Sequence, residues 1–202
     1  MPAVSQASKG VNVCLPSLDS AAEWSLRQRT DADVLGIRFP HRQEVVGGEP
    51  LRDRRDFQGS LRTLFVIAEV KAGPCSLNGP WTCSKDGNVD HVLRALGCVT
   101  PESLGSISRS LYQNGRFESA DFEARLLCFG ARKSSGLPTG SLQFTWHDVF
   151  GFVYDRYQTF WRAKRQNQQW PPVGRFLWGR CRDRQLDAYV QEMLAAFGVG
   201  VS

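Results

Sequence analysis

The sequence lacks the features that mark membrane-spanning, secreted and zinc-bound proteins. None of its 202 residues belong to a run that approaches the roughly 18 consecutive apolar positions of a membrane helix. Residues 1–10 have neither the basic start nor the apolar centre of a signal peptide, so we expect a cytoplasmic protein with no membrane partner. The six cysteines form no CxxC pair and no histidine stands at zinc-finger spacing. These absences argue against structural zinc and a disulfide framework, and predict reduced, mostly buried thiols.

The composition is that of an ordinary globular chain, with 42% hydrophobic and 22% charged residues. The length suits one well-buried core, and we expect that core in residues 1–135, with residues 1–22 as a poorly defined lead-in. Residues 136–202 are predicted to form a basic helical extension packed on it. Residues 131–202 carry ten basic and five acidic side chains, whereas residues 1–130 are balanced. This excess favours an anionic partner, although arginine-rich helices with solvated faces would show the same count.

Hydrophobic periodicity and turn residues predict the secondary structure. Strands are expected at Trp24–Gln28, Asp33–Phe39, Leu61–Lys71 and Phe122–Phe129, and helices at Val89–Leu96, Glu102–Tyr112, from Thr145 onward, and at Asp183–Phe197. Residues 40–60 and 133–140 are rich in turn residues and are expected to be loops. The aromatic stripe Phe150, Tyr154, Tyr157 and Trp161 has helical spacing, so we expect it to pack rather than to stack on bases.

A charged pair ends the most apolar strand. Glu69 and Lys71 are two residues apart and therefore point to the same face of the strand. The turn residues Gly73-Pro74 follow closely, so the pair can lie at a cleft. An ion at the end of an apolar strand costs free energy unless it is paired, hydrated or metal-bound. A hairpin across residues 40–60 would bring Asp33, which heads the other apolar strand, beside Glu69. The alternative is a structural buried ion pair between Glu69 and Lys71 or Asp33.

Two converging carboxylates are a hard-oxygen site suited to Mg²⁺ or Mn²⁺. Phosphodiester hydrolysis needs an attacking water, neutralisation of the charge that grows on the phosphate, and help for the leaving oxygen. The ion would supply the first and third, and Lys71 the second. The three side chains thus predict a phosphodiesterase site.

The order of these elements resembles the PD-(D/E)xK nuclease superfamily, whose core runs αβββαβ. Asp33 heads one strand, Glu69-Val70-Lys71 ends the next, and a helix and a strand follow, over roughly residues 24–130. The resemblance implies an α/β, restriction-endonuclease-like fold: a mixed central sheet flanked by helices, here with a C-terminal helical extension. It also implies that Asp33 and Glu69 ligate the metal and that Lys71 positions water or stabilises the transition state.

Several further residues are candidates for the same site. Thr30-Asp31-Ala32 stands where the family usually has a proline before its first acid, which makes Asp31 a rival to Asp33. Glu23 is a candidate additional acid. Asn78 and Trp81 are candidates for substrate binding, with turn formation and core packing as their alternatives. Three basic residues of the extension are further substrate-binding candidates: Arg162, Lys164 and Arg165.

The sequence therefore predicts a Mg²⁺- or Mn²⁺-dependent nuclease acting on nucleic acid, with DNA favoured over RNA by the resemblance alone. A homodimer is compatible with this expectation. The first alternative is a catalytically inactive module that keeps the fold and binds nucleic acid or protein. The second is an interaction or regulatory domain unconnected with nucleic acid.

Overall fold

The computed structural model describes residues 32–43, 46–49, 54–57, 61–97, 99–166 and 170–199. The predicted strand at Trp24–Gln28 and the acidic candidates Glu23 and Asp31 lie outside these residues. In the part of the chain that the structure describes, no helix is both long enough and apolar enough to cross a membrane.

Five strands form one mixed sheet. They are β1 (Val34–Arg38), β2 (Thr63–Val70), β3 (Arg116–Glu118), β4 (Phe122–Gly130) and β5 (Leu142–Thr145). β1 pairs antiparallel with β2, and β2 lies parallel to β4 over its whole length. The far edge of β4 is shared, because β3 pairs antiparallel with its first half and β5 parallel with its second half. The mixed sheet and its flanking helices confirm the predicted α/β class.

The described residues contain seven α-helices. They are α1 (Gly79–Thr82), α2 (Asn88–Leu96), α3 (Pro101–Asn114), α4 (Trp146–Thr159), α5 (Trp161–Gln166), α6 (Pro172–Cys181) and α7 (Leu186–Phe197). The predicted helix start at Thr145 is confirmed, since its side chain and that of Asp148 form a reciprocal capping box. α2, α3 and α7 have no side-chain cap hydrogen bond at their starts, and each ends at a glycine with positive φ: Gly97, Gly115 and Gly198.

The two faces of the sheet pack against different helices. On one face Phe65, Ile67 and Leu126 pack with buried residues of α2 and α3, among them Leu93 and Ile107. The other face forms a smaller cluster of Ala68, Leu127 and Phe144 with Val149 of α4. Glu69 lies on the first face because it alternates with Ala68 along β2. The acid therefore belongs to the side of the sheet that α2 and α3 cover.

α4, α6 and α7 share a third hydrophobic cluster. Phe150 and Tyr157 of α4 pack against Tyr189, Val190 and Met193 of α7. The predicted packing role of the aromatic stripe is confirmed for these two residues, and Trp161 stacks on Trp178 of α6 at a centroid distance of 4.1 Å. These aromatic side chains therefore pack within the protein.

The predicted extension is not wholly helical. β5 follows the turn-rich residues 133–140 and extends the sheet, so the chain beyond residue 135 contributes to the core. Gln143 also fixes the preceding loop, because its side-chain amide accepts from Ser134 N and donates to Ser134 O, both at 2.7 Å. A strand of four residues is too short for its alternation to be recognised in the sequence. The predicted loop at 133–140 is therefore a connection within the sheet.

The predicted thiol state agrees with the structure where it is described. Cys75, Cys128 and Cys181 are buried free thiols, and Cys83 is a partly exposed one. Burial raises the pKa of the Cys128 thiol to about 12. Its protonated form packs as a small apolar group beside Glu69, its partner in the β2–β4 register.

The segment after β2 folds back over the end of β4. Lys71 N donates to Phe129 O at 2.9 Å, Ala131 N to Gly73 O at 2.7 Å, and Cys75 N to Arg132 O at 2.9 Å. The crossing requires a glycine at position 130, since an added Cβ there would lie 2.7 Å from Gly73 O and 2.8 Å from Cys75 N. This crossing sets the path of the chain from Lys71 towards Asn78.

Gly130→Ala should lower the free energy of unfolding by about 1–3 kcal/mol, because the methyl group meets fixed backbone atoms rather than a movable side chain. Gly105→Ala is the matched control. Gly105 lies within α3 and an added Cβ meets nothing within 4 Å, so this change should raise stability by about 0.5–1 kcal/mol. Urea-induced unfolding measures both. Equal stability of Gly130→Ala and wild type would contradict the crossing.

Candidate metal and phosphodiester site

The β1–β2 register places Asp33 beside Glu69. Val34, the first residue of β1, pairs with Ala68, so Asp33 directly precedes the paired residues and lies near Glu69, whose pKa its charge raises. Asp33 Oδ2 accepts a hydrogen bond of 2.8 Å from Val70 N. The structure thus joins the two predicted acids through neighbouring strands, with Asp33 exposed to solvent and Glu69 buried.

Glu69 is the most enclosed acid of the site, with 2% of its surface exposed. Its Oε1 accepts hydrogen bonds from Lys71 Nζ and from Asn78 Nδ2. Lys71 Nζ also donates to Asn78 Oδ1 at 2.7 Å. The acid, the amine and the amide therefore form a closed three-membered network at the carboxyl end of β2.

Asn78 is used for this network rather than for capping. Asparagine is a preferred N-cap residue, and Asn78 occupies the N-cap position of α1, yet its side chain makes no cap hydrogen bond. Both ends of its amide are instead engaged by Glu69 and Lys71. Asn78 is therefore a member of the Glu69–Lys71 network, and its predicted role in substrate binding stays a prediction.

The second carboxylate oxygen of Glu69 has no hydrogen-bond partner. Glu69 Oε2 is buried, and no donor among the described residues reaches it. Burial raises the pKa of Glu69 above its ordinary value of 4.5, the Lys71 ammonium opposes this rise, and the negative charge of Asp33 adds to it. The nearby Trp81 indole makes a smaller contribution in favour of the charged form. The carboxylate is therefore only half satisfied by the protein.

The donor set fits a hard divalent cation. One orphan carboxylate oxygen and one neighbouring, solvent-exposed carboxylate are the ligands that Mg²⁺ accepts while it keeps several waters. No group of three or more histidine, cysteine or acidic side chains capable of holding a metal occurs in the portion of the chain that the structure describes. The arrangement suits an ion that is completed by water and substrate oxygens, and does not suit an all-protein cage.

Trp81 belongs chiefly to the core. It is 2% exposed and packs in the cluster under the first face of the sheet. The sequence leaves substrate binding and core packing as the alternatives for Trp81, and its burial favours core packing. The indole still borders Glu69 and so contributes to the enclosure of the acid.

Sequence reasoning missed Trp146. Its Nε1 donates a hydrogen bond of 3.0 Å to the backbone carbonyl of Lys71 and thereby ties the start of α4 to the site. The capping box at Thr145 predicts where α4 begins, but no local pattern indicates the partner of a side chain that is 75 residues away from Lys71. Only the packing of α4 on the sheet shows this hydrogen bond.

The basic candidates of α5 lie apart from the acids. α4 runs for 14 residues from Trp146 to Thr159, about 20 Å at the rise of an α-helix, before α5 begins. Lys164 lies over the Trp170 ring at 5.9 Å, whereas Arg162 and Arg165 are exposed. The hydrogen bonds that join Glu69, Lys71 and Asn78 involve none of these three side chains.

Part of the basic excess is neutralised within the extension. Glu192 pairs with Arg184 and, at 3.1 Å, with Arg180, and Arg182 is 3.8 Å from Asp183. Arg175, in contrast, is exposed on α6 near the start of that helix. The structure thus distinguishes arginines that pair with acids from exposed arginines, a difference that the sequence does not show.

No family model, no curated protein and no solved structure matches this chain.

The raised pKa of Glu69 predicts a pH dependence of stability. Between 4.5 and the higher folded value, the folded chain keeps a proton that the unfolded chain has lost, so the free energy of unfolding falls as pH rises through this window. Glu69→Gln removes the titrating group and should flatten the slope. Urea unfolding, measured in steps from pH about 4.5 to about 7.5, tests this.

Glu102→Gln serves as the control. Hydrogen bonds to its own backbone N–H and to Thr100 lower the pKa of Glu102. Glu102 therefore affects the free energy of unfolding only below pH about 4.5. The Glu102→Gln variant should keep the wild-type slope above that pH. If Glu69→Gln and wild type showed the same slope, the half-satisfied carboxylate would be refuted.

Proposed function

We propose that this chain is a metal-dependent phosphodiesterase that cleaves nucleic acid, as the resemblance to PD-(D/E)xK nucleases implies. The observation that carries the proposal is the buried Glu69 carboxylate near Asp33, with one oxygen held by Lys71 and Asn78 and the other without a donor among the described residues. A carboxylate in such a position costs free energy unless a cation completes its coordination. A purely structural ion pair would leave that oxygen unexplained.

The chain order supports the proposal. Asp33 stands immediately before β1, Glu69 lies near the end of β2 and Lys71 directly after it. α1–α3 lead through the short β3 to β4, which lies parallel to β2. This order agrees with the part of the restriction-endonuclease-like core that follows the first acid. The helix and strand that the resemblance requires before Asp33 fall outside the described residues.

Asp33 and Glu69 Oε2 would hold Mg²⁺ or Mn²⁺. Bound there, the ion supplies an activated water and charge at the leaving oxygen. Asp33 is exposed to solvent, so waters and substrate oxygens could complete the coordination of an ion held there. Glu69 is buried against the core and would hold such an ion at the sheet.

Lys71 supplies the positive charge on the substrate side. Its ammonium has three N–H bonds, of which two are used by Glu69 and Asn78, and 24% of its side chain is exposed. The third N–H is available to a phosphate oxygen, whose charge grows in the transition state. Asn78 holds the amine and the acid together and acts as a positioning residue.

The decisive experiment is a cleavage assay with Mg²⁺ or Mn²⁺ on single- and double-stranded DNA and RNA. Wild type should cleave, and Lys71→Ala and Asp33→Ala should each lower the rate by about 100-fold or more, as removal of a transition-state donor or a metal ligand does. Asp121→Ala removes an exposed acid that lies outside the network and should keep wild-type activity.

Thermal unfolding with Mn²⁺ separates the remaining functions. A metal-binding site stabilises the folded chain as the ion concentration rises, and Glu69→Gln should abolish this shift. Stabilisation without cleavage would favour the inactive binding module. Neither stabilisation nor cleavage would show that Glu69 and Lys71 are a structural pair.

The exposed arginines of α5 and α6 are the proposed binding residues for the nucleic-acid backbone. Replacing Arg162, Arg165 and Arg175 by Ala should weaken DNA binding and reduce the salt slope of log K by about 0.9 for each phosphate that the variant no longer neutralises. Arg94→Ala/Arg109→Ala removes exposed charge from α2 and α3 and is the control. Fluorescence anisotropy at several salt concentrations measures the slopes. An unchanged slope in the triple variant would refute this surface.

A further inference from the structure

The stretch of chain that includes α5 and α6 is basic, free of acids and rich in tryptophan. Residues 156–182 contain no acidic side chain and three of the six tryptophans, Trp161, Trp170 and Trp178. They also contain seven basic side chains: Arg156, Arg162, Lys164, Arg165, Arg175, Arg180 and Arg182. Positive charge interleaved with aromatic rings is typical of surfaces that bind single-stranded nucleic acid.

The three tryptophans form a row of stacked rings, which we call the tryptophan row. Trp161 of α5 stacks on Trp178 of α6, with ring centroids 4.1 Å apart and planes inclined by 29°. Trp170 lies nearly parallel to Trp178, at 6.1 Å and 13°. The buried Tyr157 ring meets Trp170 and Trp178 edge to face, at 5.6 and 5.3 Å, which fixes their orientation. All three indoles remain partly exposed, whereas Tyr157 is buried.

Cations lie one helical turn from the tryptophan row. Arg165 follows Trp161 by four residues on α5, and Arg175 precedes Trp178 by three on α6, so each arginine shares a helix face with its tryptophan. Both arginines are exposed, and neither forms an ion pair with an acid of the described residues, unlike the arginines that pair with Glu192. Their charge is therefore available to the phosphates of a strand whose bases contact the indoles.

We propose that the tryptophan row binds single-stranded nucleic acid by base stacking, so that the substrate class is a single strand; its cleavage rests on the proposed function. Trp178 covers one face of the Trp161 indole, and a base that stacks on the exposed part of Trp161 continues the row. Only an unpaired strand offers the face of a base, since neighbouring pairs cover it in a duplex. The cations alone would attract either form, so the indoles supply the selectivity.

α4 connects this surface to the proposed phosphodiesterase site. It begins at Trp146, whose indole donates a hydrogen bond to the Lys71 carbonyl, and it ends at Thr159, two residues before Trp161. One rigid helix therefore sets the position of the tryptophan row relative to Lys71. A single strand held by its bases at one end of α4 would be presented to the site at the other end.

The experiment compares three labelled probes of about 20 nucleotides: a thymidine oligomer, a strand of abasic deoxyribose phosphates, and a duplex. The abasic strand keeps the phosphates and lacks the bases. Fluorescence anisotropy on the full chain in EDTA measures binding without cleavage. The thymidine oligomer should bind about tenfold tighter than the abasic strand, since stacking of one base is worth about that factor. A uridine oligomer of the same length determines whether the bound strand is DNA or RNA.

Variants of Trp161 locate the interaction. Trp161→Leu keeps an apolar side chain without a ring, and should lower affinity for the thymidine oligomer about tenfold while it leaves affinity for the abasic strand and the duplex unchanged. Trp161→Phe restores a ring and should recover most of the loss. Phe39→Leu is the matched control, because Phe39 is an exposed ring that follows β1, and should bind all probes as wild type does.

The proposal is overturned if wild type binds the thymidine oligomer and the abasic strand equally, if Trp161→Leu binds as wild type does, or if it loses affinity for all probes alike. The wild-type comparison needs no variant and so does not depend on how the substitutions fold. A base-dependent preference without any cleavage would contradict the proposed phosphodiesterase and support the tryptophan row. Cleavage without this preference would contradict the tryptophan row alone.

Discussion

The free energy needed to keep the Glu69 carboxylate out of water governs the arrangement at the end of β2. A buried carboxylate must find donors or a cation, because the protein interior solvates its charge poorly. Lys71 and Asn78 satisfy one oxygen, and they reach it only because the chain after β2 folds back over Gly130. Trp146, at the start of α4, donates a hydrogen bond to the backbone carbonyl of Lys71. The remaining oxygen has no hydrogen-bond donor in the part of the chain that the structure describes.

The two faces of the sheet have different surroundings. Alternation along β2 places Glu69 on the face covered by α2 and α3, and Leu64 and Val66 on the opposite face, which borders an apolar cavity. α4 links the faces, since Asp148 lines the cavity while Trp146, at the start of the same helix, contacts Lys71. A single capping box therefore positions side chains that belong to both regions.

The extension shows why charge counts alone do not define an anion-binding surface. Arg180 and Arg184 share Glu192, and exposed arginines elsewhere on α5 and α6 keep their full reach into solvent. Long-range attraction of a polyanion depends on the unbalanced charges. The part of α5 and α6 that carries Arg162, Arg165 and Arg175 is consequently a better candidate surface than the extension as a whole.

The sequence by itself determined the features that depend on neighbouring residues: the buried strand β2 from its apolar run, α2, α3, α4 and α7 from their periodicity and caps, and the shared face of Glu69 and Lys71 from strand alternation. Tertiary structure alone decided which groups meet across the chain. The short β5, the amide of Asn78 between Glu69 and Lys71, and the hydrogen bond of Trp146 leave no local pattern. The reason is the distance along the chain over which each interaction acts. Periodicity and capping act within one element, whereas these contacts form only when sheet, loop and helix pack together.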